Sequence, residues 1–395
     1  MKAIFKTALP ILLLGALLLS ACGGGKPGAE SSAAESSAEE TTEARVIDVV
    51  SESIPETESA AEETEEVPPE PGLVRSALTH EWIPEELAKK RPIAVMYPID
   101  KKAQPQYGLN KVSVFYEILE EGGMSRQMGI LEDWEDLERI GNVRSIRDYF
   151  IYMGLEWDAV IVHFGGPEIF VKPMLTRADV DNVNGVGGVM GSDYNAFFRI
   201  PANSKSEHTA YTSGKRLLAA IEKAGFSREH REEYWQPKHW KFAPAEKPYS
   251  LEDHPDAVDA TEIDMSGCYP VTKTTLRYDP ETRLYYRSIY GSAQKDAVTK
   301  EQLSFSNVVI ETAVSGTRGG SLYMYFHVLD SMQDGYFLTG GKMIHVTWMK
   351  NHDYEPTRFF DDSGEEVTMN TGRTMVFITQ DGKDSFTANG VKYDI

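Results

Sequence analysis

The feature that most restricts the fold of this chain is a series of short β-type runs from about residue 270 to the C-terminus. The runs include TTLRYDP, RLYYRSIYG, NVVIETAV, GSLYMYFHVL and RTMVFITQDG. Turn pairs such as Asp-Pro, Gly-Gly and Asp-Gly separate them, and no long helical periodicity interrupts them. This pattern predicts a mostly antiparallel sheet that forms a curled sheet, a barrel or a sandwich.

Strands and helices alternate in the preceding part of the chain. Strand-like runs occupy 92–97, 112–119, 128–134 and 159–164. Helical periodicity occupies 145–154, with Ser145 as a possible N-cap, and 213–224, a capped segment followed by Gly225. The sequence therefore predicts an α/β N-terminal domain, with a mixed sheet and flanking helices, over 78–250. A mostly antiparallel β C-terminal domain is predicted over 251–395.

The first 22 residues have the composition of an export signal. Lys2 and Lys6 precede an apolar run over 8–19, which is too short to span a bilayer. The run ends in Leu19-Ser20-Ala21-Cys22, which resembles the lipobox of bacterial lipoproteins. We predict cleavage before Cys22 and lipidation of its thiol by a diacylglyceryl group, with palmitate as an expected chain. The alternatives are a plain secretory signal and an uncleaved anchor.

Acidic residues dominate the segment that follows the signal. Residues 23–73 hold fourteen acids and two basic residues, and the tract over 23–77 is predicted to be a disordered tether. Of the total charge of −21, the tract over 23–73 carries −12 and the signal carries +2, which leaves −11 on residues 74–395. A net acidic body disfavours binding to nucleic acid. The predicted location is the extracytoplasmic face of the cell membrane.

Cysteine usage limits the chemistry of the chain. Only Cys22 and Cys268 are present, so a lipidated Cys22 leaves no intrachain disulfide and no cysteine-based metal site. Cys268 is predicted to be packed. An oxygen-rich loop at 179–184 could bind calcium but does not fit the twelve-residue calcium loop, so a hydrogen-bonded turn is favoured. No cofactor and no metal are predicted.

Several arginines and glutamates converge on one part of the predicted N-terminal domain. Glu117, Glu120 and Glu121 close a hairpin strand, and Arg126 follows the Gly122-Gly123 turn. Arg144 and Arg147 lie three residues apart at the start of the predicted helix, where they would share a face near its positive end. Such a pair could hold a carboxylate, a phosphate or a sulfated sugar. Equally, these side chains could form a structural ion network.

Two histidines and a glycine pair could complete this site. His163 ends the strand over 159–164, directly before Gly165-Gly166, at an edge of the sheet where ligands bind in α/β folds. His208 is a second candidate for the same edge. The alternative for His163 is a buried histidine whose hydrogen bonds are satisfied. The Ser292–Lys295 run matches a Ser-x-x-Lys pattern, but it follows a β-type run, so the match is attributed to chance.

Blocks of this sequence resemble the YerB-type lipoproteins of Gram-positive bacteria. The blocks, in order, are RPIAVMYPIDKKAQPQYGL, VFYEILEEGGMSRQMGI, IGNVRSIRDYF, DAVIVHFGG and SEHTAYTS, then LRYDPETRLYYRS, FSNVVI, GGKMIHVTWMK and GEEVTMNTGRTMVFI. They cover nearly everything from 90 to 380. The resemblance implies a lipid-anchored extracytoplasmic protein with an N-terminal domain of unknown function and a β-rich C-terminal domain. It brings no established reaction.

The resemblance also implies which polar positions recur in the family. They are Pro105, Gln106, Gly108, Glu117, Glu121, Gly122, Arg126, Gly141, Arg144, Ser145, Arg147, His163, Gly165, Gly166, His208 and Thr212. This chain departs from the family at 97–100, where an Asp-Asn pair is usual, and at 207–209, where Pro-His-Asn is usual. Both departures fall in loops near the predicted site.

These observations favour a membrane-anchored binding protein for an anionic or polyhydroxylated cell-envelope ligand, such as a cell-wall fragment. Arg126, Arg144 and Arg147 would hold the ligand, Glu117 would orient the arginines, and Gly165 and Gly166 would let the ligand approach. The alternative is a glycan hydrolase or transferase that uses Glu117 or Glu121 with His163 or His208. A second alternative is a structural adaptor for an unknown protein partner.

Overall fold

The computed structural model describes residues 66–201 and 206–395. The predicted signal, Cys22 and most of the predicted tether lie outside the described residues. The described residues form one compact unit. Its first strand begins at Leu73, inside the segment predicted to be a tether. Among the described residues, no helix has both the length and the apolarity needed to cross a bilayer.

The described elements are mainly short strands. In chain order they are β1 Leu73–Arg75, β2 Trp82–Pro84, β3 Ile93–Pro98, β4 Val112–Leu119, β5 Ser125–Leu131, β6 Ile140–Gly141, β7 Val160–His163, β8 Asn182–Asn184, β9 Phe198–Arg199, β10 Ala210–Thr212, β11 Lys241–Phe242, β12 Val258–Asp259, β13 Glu262–Asp264, β14 Thr275–Asp279, β15 Leu284–Ile289, β16 Ser292–Ala293, β17 Ser304–Phe305, β18 Asn307–Ala313, β19 Ser315–Thr317, β20 Met324–Phe326, β21 Asp330–Thr339, β22 Lys342–Lys350, β23 Arg358–Phe360, β24 Thr368–Met369, β25 Thr374–Gln380, β26 Ser385–Ala388 and β27 Val391–Asp394. The α-helices are α1 Glu85–Ala88, α2 Asp148–Leu155, α3 Glu168–Leu175 and α4 Gly214–Ala224.

One eleven-stranded sheet runs through the whole unit. Its order is β12-β22-β21-β18-β25-β4-β5-β3-β7-β8, with β23 beside β22. The part formed by β4, β5, β3, β7 and β8 mixes parallel and antiparallel pairs, whereas β18, β21, β22 and β12 are antiparallel. The predicted fold class, a mixed sheet with helices followed by a mostly antiparallel β region, is confirmed.

The sheet continues across the predicted domain boundary. β25 pairs in parallel with β4, so that residues 374–378 lie beside residues 114–118. Strands from the two halves of the chain are therefore direct neighbours in a single sheet. The division into domains at about residue 250 stays a prediction.

The central strands are covered on both faces. Every residue of β3, β4 and β5 is buried, which explains why β3 and most of β4 are apolar runs without alternation. The strand β5 differs because it begins with three polar residues, 125–127, which are buried as well. The predicted hairpin between β4 and β5 is confirmed. Gly122 and Gly123 both have a φ of +72° in its turn, a conformation that glycine adopts without a steric penalty.

Helix α2 covers one face of this sheet, beside the end of β3 and β7. An ideal Cβ on Gly154 would lie only 3.2 Å from Ile161 Cγ1 and 3.4 Å from Ala94 Cβ, so glycine permits the close approach of helix and strands. α4 is the predicted amphipathic helix, with Ser213 as its N-cap and Gly225 left-handed at its end. The predicted helix and its predicted cap are confirmed.

A seven-stranded sheet covers the other face. Its order is β16-β15-β14-β13-β26-β27, with β17 beside β15. Alternate residues of β15 are buried, as expected for a sheet with one face toward the core and one toward solvent. Phe115 of β4 stacks on Phe305 of β17, with ring centroids 6.3 Å apart. The Ser-x-x-Lys match lies partly in β16, a strand, so it lacks the helix that this motif requires.

A buried ion pair joins the two sheets. Glu117 of β4 and Arg287 of β15 are both 0% exposed, and Arg287 Nη2 donates to Glu117 Oε2. Ser125 Oγ donates to the other carboxylate oxygen at 2.5 Å, and Thr274 Oγ1 lies 3.3 Å from both oxygens. The carboxylate is thus fully surrounded by donors from both sheets.

Removing one partner of this pair is expected to destabilise the fold strongly. Arg287→Met leaves a buried carboxylate without its countercharge, which costs about 3–5 kcal/mol of unfolding free energy. The measurement is urea unfolding followed by tryptophan fluorescence. The control is Arg228→Met, which removes an exposed arginine paired with Glu135 at 2.8 Å and should cost no more than about 1 kcal/mol. Equal losses in the two variants would contradict the proposed role of the pair.

Candidate functional site

The predicted site lies where β3 and β7 separate at one edge of the sheet. The segment between β6 and α2 fills this gap: Arg144 N donates to Met96 O at 2.9 Å, and Phe164 N donates to Arg144 O at 2.9 Å. Ile146 N donates to Gly165 O at 3.0 Å. The backbone of this segment therefore bridges the carboxyl ends of two parallel strands, the usual place for ligands in α/β folds.

The prediction that Arg144 and Arg147 share a helix face is wrong. Helix α2 begins at Asp148, and its N-cap residue Arg147 is extended, with φ −119° and ψ 156°. Ser145 was the predicted N-cap, but its Oγ donates to Phe164 O at 3.1 Å. The strand ends form hydrogen bonds with the backbone of this segment and keep it extended. The helix therefore begins about one turn later than the periodicity indicates.

Arg126 and Arg147 belong to a four-residue ion network. Glu120 bridges both arginines through one oxygen: Arg126 Nε donates to Oε2 at 3.0 Å, and Arg147 Nη2 lies 3.0 Å from the same atom. Glu121 accepts from Arg147 Nε at 2.9 Å and from Nη2 at 2.5 Å. The pKa of Arg147 is raised, because its bonds to Glu121 and the charge of Glu120 outweigh the effect of burial. The charges of these two arginines are therefore largely neutralised by Glu120 and Glu121.

Arg144 differs from Arg126 and Arg147 because it makes no ion pair among the described residues. It is half-buried, and its Nε has no hydrogen-bond partner within residues 66–201 and 206–395. Burial and the nearby charge of Arg126 lower its pKa. Arg126 also keeps one buried nitrogen, Nη1, without a partner in the described part of the chain. Arg144 Nε and Arg126 Nη1 are thus two guanidinium nitrogens without partners, on side chains whose charges act on each other.

His208 lies close enough to Arg144 and Arg126 for their charges to act on its ring. The side chain is 3% exposed, and Asn142 Nδ2 donates to its carbonyl at 2.8 Å. Its Nε2 lies 3.8 Å from Asp100 Oδ1 and 3.6 Å from Glu207 Oε1, and its Nδ1 has no partner among the described residues. Burial lowers the pKa of His208, which favours the neutral ring. Sequence reasoning missed Asn142 and Asp100, although Asn142 stands in the same block as Arg144 and Arg147.

Glu117 lies apart from the three arginines. In the β4–β5 hairpin, Glu117 pairs with Gln127, whereas Arg126 pairs with Ile118. Because successive side chains of a strand point to opposite faces, Glu117 and Arg126 face opposite sides of the sheet. Glu117 contacts Arg287, and the residue that orients the arginines is Glu120.

His163 and the glycine pair support the backbone of the site. His163 is 0% exposed; its Nδ1 donates to Gly165 O at 2.9 Å, and burial lowers its pKa. An ideal Cβ on Gly166 would lie 2.9 Å from Ile146 O, so this glycine makes room for the segment that carries the arginines. Asn184 Oδ1 accepts from Gly165 N at 2.9 Å.

The oxygen-rich loop at 179–184 uses its side chains within the protein. Asp179 pairs with Arg177 at 2.5 Å and Asp181 pairs with Arg91 at 2.5 Å. Asn182 Nδ2 donates to Leu175 O at 2.9 Å. In the described part of the chain, no group of three His, Cys, Asp or Glu side chains could hold a metal ion. Cys268 is buried, which raises the pKa of its thiol, as expected for a packed residue.

Both halves of the described chain match a known protein family whose function is not assigned. Residues 78–227 match the N-terminal domain, and residues 263–376 match the C-terminal domain, of "Protein of unknown function (DUF3048)". The chain belongs to this family.

A curated relative and a solved structure are also similar to this chain. The chain is 27% identical over 254 residues to the Bacillus subtilis (strain 168) protein named "Putative lipoprotein YerB", which covers 64% of this chain and 72% of the relative. The fold is also similar to the crystal structure of YerB protein from Bacillus subtilis, with a TM-score of 0.65 and 24% identity. That match covers 80% of this chain and 99% of the solved one.

Arg144 and Arg147 are expected to differ sharply in their effect on stability. Arg147→Met leaves Glu121 without its partner and should lower the unfolding free energy by about 2–3 kcal/mol. Arg144→Met removes an unsatisfied, half-buried charge and should leave the unfolding free energy unchanged or raise it by about 1 kcal/mol. The two variants carry the same chemical change three residues apart, and urea unfolding compares them directly. A loss above about 2 kcal/mol in Arg144→Met would show that Arg144 is a structural residue.

Proposed function

We propose that this protein is a lipid-anchored, extracytoplasmic binding protein that holds an anionic ligand of the cell envelope at Arg144. The observation that carries the proposal is the half-buried guanidinium of Arg144, whose Nε has no partner among the described residues and which lies within the electrostatic reach of Arg126. The predicted hydrolase or transferase activity stays an untested alternative.

The electrostatics of Arg144 favour an anion. A buried donor without a partner costs about 1–3 kcal/mol, and more when the group is charged. The like charge of Arg126 adds to this cost, and the charges of Glu207, Asp100 and Glu120 offset part of it. A carboxylate or phosphate that accepts from Arg144 Nε would relieve both terms, and the planar guanidinium fork suits either group.

The surrounding residues are suited to hold such an anion in place. Glu120 and Glu121 fix Arg126 and Arg147 in one geometry, so little side-chain entropy is lost when a ligand binds. Arg126 Nη1 offers a second donor. His208 and Asn142 present further polar atoms without partners in the described chain, and these could contact hydroxyl or amide groups of the ligand.

Anion binding is expected to depend on Arg144. We expect inorganic phosphate and soluble muropeptides to bind the full-length protein in mild detergent, as measured by isothermal titration calorimetry. Arg144→Met should weaken binding about 10- to 100-fold, which corresponds to one charged hydrogen bond of about 1.5–3 kcal/mol. The control is Arg283→Met, in the turn between β14 and β15, which should bind normally.

Two outcomes would contradict this proposal. One is the absence of heat from phosphate and from every muropeptide at millimolar concentration, which would favour the adaptor alternative. The other is equal affinity in Arg144→Met and in the unchanged protein, which would place any anion elsewhere.

The lipid anchor has its own test. The similarity to a protein named as a lipoprotein and the Leu-Ser-Ala-Cys motif support lipidation at Cys22. We expect cells fed with radioactive palmitate to label this protein, and Cys22→Ala to abolish the label. Cys268→Ala is the matched control and should keep it. Label that persists in Cys22→Ala would refute the anchor.

A further inference from the structure

A cavity of about 350 Å³ lies between the two matched family regions. One wall is the segment that follows β3, and the other is the turn from β15 to β16 together with residues 294–300. The residues that line it are Lys101, Gln104, Pro105, Ile289, Tyr290, Ser292, Ala293, Gln294, Lys295, Asp296 and Lys300. None of the proposed Arg144 ligand contacts is among them. The volume falls at the lower end of the range for small-molecule sites, roughly 300–1,000 Å³.

The two walls are fixed to each other by hydrogen bonds. Ala297 N donates to Gln106 O at 2.7 Å. The carboxylate of Asp296 accepts from Gly108 N at 3.0 Å and from Val298 N at 2.7 Å. The cavity is therefore formed before any ligand enters, and the one acidic side chain that lines it is already occupied.

Two side-chain amides at the cavity have unsatisfied atoms. Both the nitrogen and the oxygen of the Gln104 amide are buried and have no partner within the described residues. Gln294 is 2% exposed; one of its amide atoms lies 3.1 Å from the Gln127 amide, and the other has no partner in that same set. Because buried polar groups are nearly always hydrogen-bonded, a ligand with both donors and acceptors would satisfy these atoms. A peptide group supplies one of each.

The charged and apolar side chains around the cavity indicate which class of ligand it suits. Lys101, Lys295 and Lys300 surround the cavity on a body that otherwise carries a net negative charge. Lysines at the mouth favour an anionic end on the ligand. Pro105, Ile289 and Ala293 add apolar contacts for small side chains.

We propose that this cavity binds a short peptide with a free C-terminal carboxylate. Gln104 and Gln294 pair with a backbone amide of the peptide, and Lys101 and Lys295 bind its carboxylate. The apolar residues contact its side chains. This site is separate from the Arg144 site, and either proposal can fail without the other.

The test uses N-acetyl-Ala-Ala and its C-terminal amide as probes, titrated into the full-length protein in mild detergent. We expect the acid to bind and the amide to bind at least 10-fold more weakly, because the amide lacks the charge that the lysines recognise. The Lys101→Ala/Lys295→Ala double variant should weaken binding of the acid at least 10-fold. Raising the salt concentration should weaken binding too, because these lysines are exposed.

Three further variants make the result decisive. Lys223→Ala removes an exposed lysine of α4 and should bind the acid normally. Arg144→Met should also bind normally, since it lies outside the cavity. Gln104→Leu should weaken both probes, because it removes the amide contacts that they share. Failure of the acid to bind at millimolar concentration, equal affinity for acid and amide, or normal binding by the double variant would each overturn the proposal.

Discussion

The parallel pairing of β4 with β25 is the contact on which the rest of this structure depends. It places a strand from the first matched family region beside the last long strand of the second, within one sheet. Parallel strands must be covered on both faces, because their apolar runs have no polar side to expose. The helices and the seven-stranded sheet meet that requirement, one on each face. Each half of the chain therefore completes the core of the other.

Burial on both faces also decides which polar groups are tolerated inside. Glu117 lies in the middle of a fully buried strand, and it is accepted there because Arg287, Ser125 and Thr274 all donate to it. The same logic makes Arg144 unusual. It is partly withdrawn from water beside another arginine, and the protein supplies no matching acceptor for its Nε in the described residues. The structural ion pair of Arg287 also keeps one buried nitrogen without a partner, but Arg144 makes no ion pair at all among the described residues.

Both proposed sites border the segment that follows β3. Asp100 lies 3.8 Å from His208, and Lys101 and Gln104 line the cavity. The loop belongs to the edge where parallel strands end, and loops at such edges carry function because the strands hold them rigidly.

The sequence alone determined the elements whose signals are local. The continuous apolar run of β4, the glycine pair of its hairpin, the Ser213 cap and the Gly225 end of α4 were all readable, since each depends on a few neighbouring residues. The order of the polar blocks also identified the family. The sequence also drew attention to Arg126, Arg144 and Arg147.

Only the tertiary structure decided how these residues are partnered. Alternation along β4 and β5 sends Glu117 and Arg126 to opposite faces, and that depends on a register no local pattern fixes. Hydrogen bonds to β3 and β7, far away in the chain, keep Arg144 and Arg147 off the helix. The ion partner of Glu117 is 170 residues away, and the cavity is lined by segments almost 190 residues apart. Partners that are distant in sequence become neighbours only when the sheets assemble, so the chemistry of each site is a property of the assembled fold.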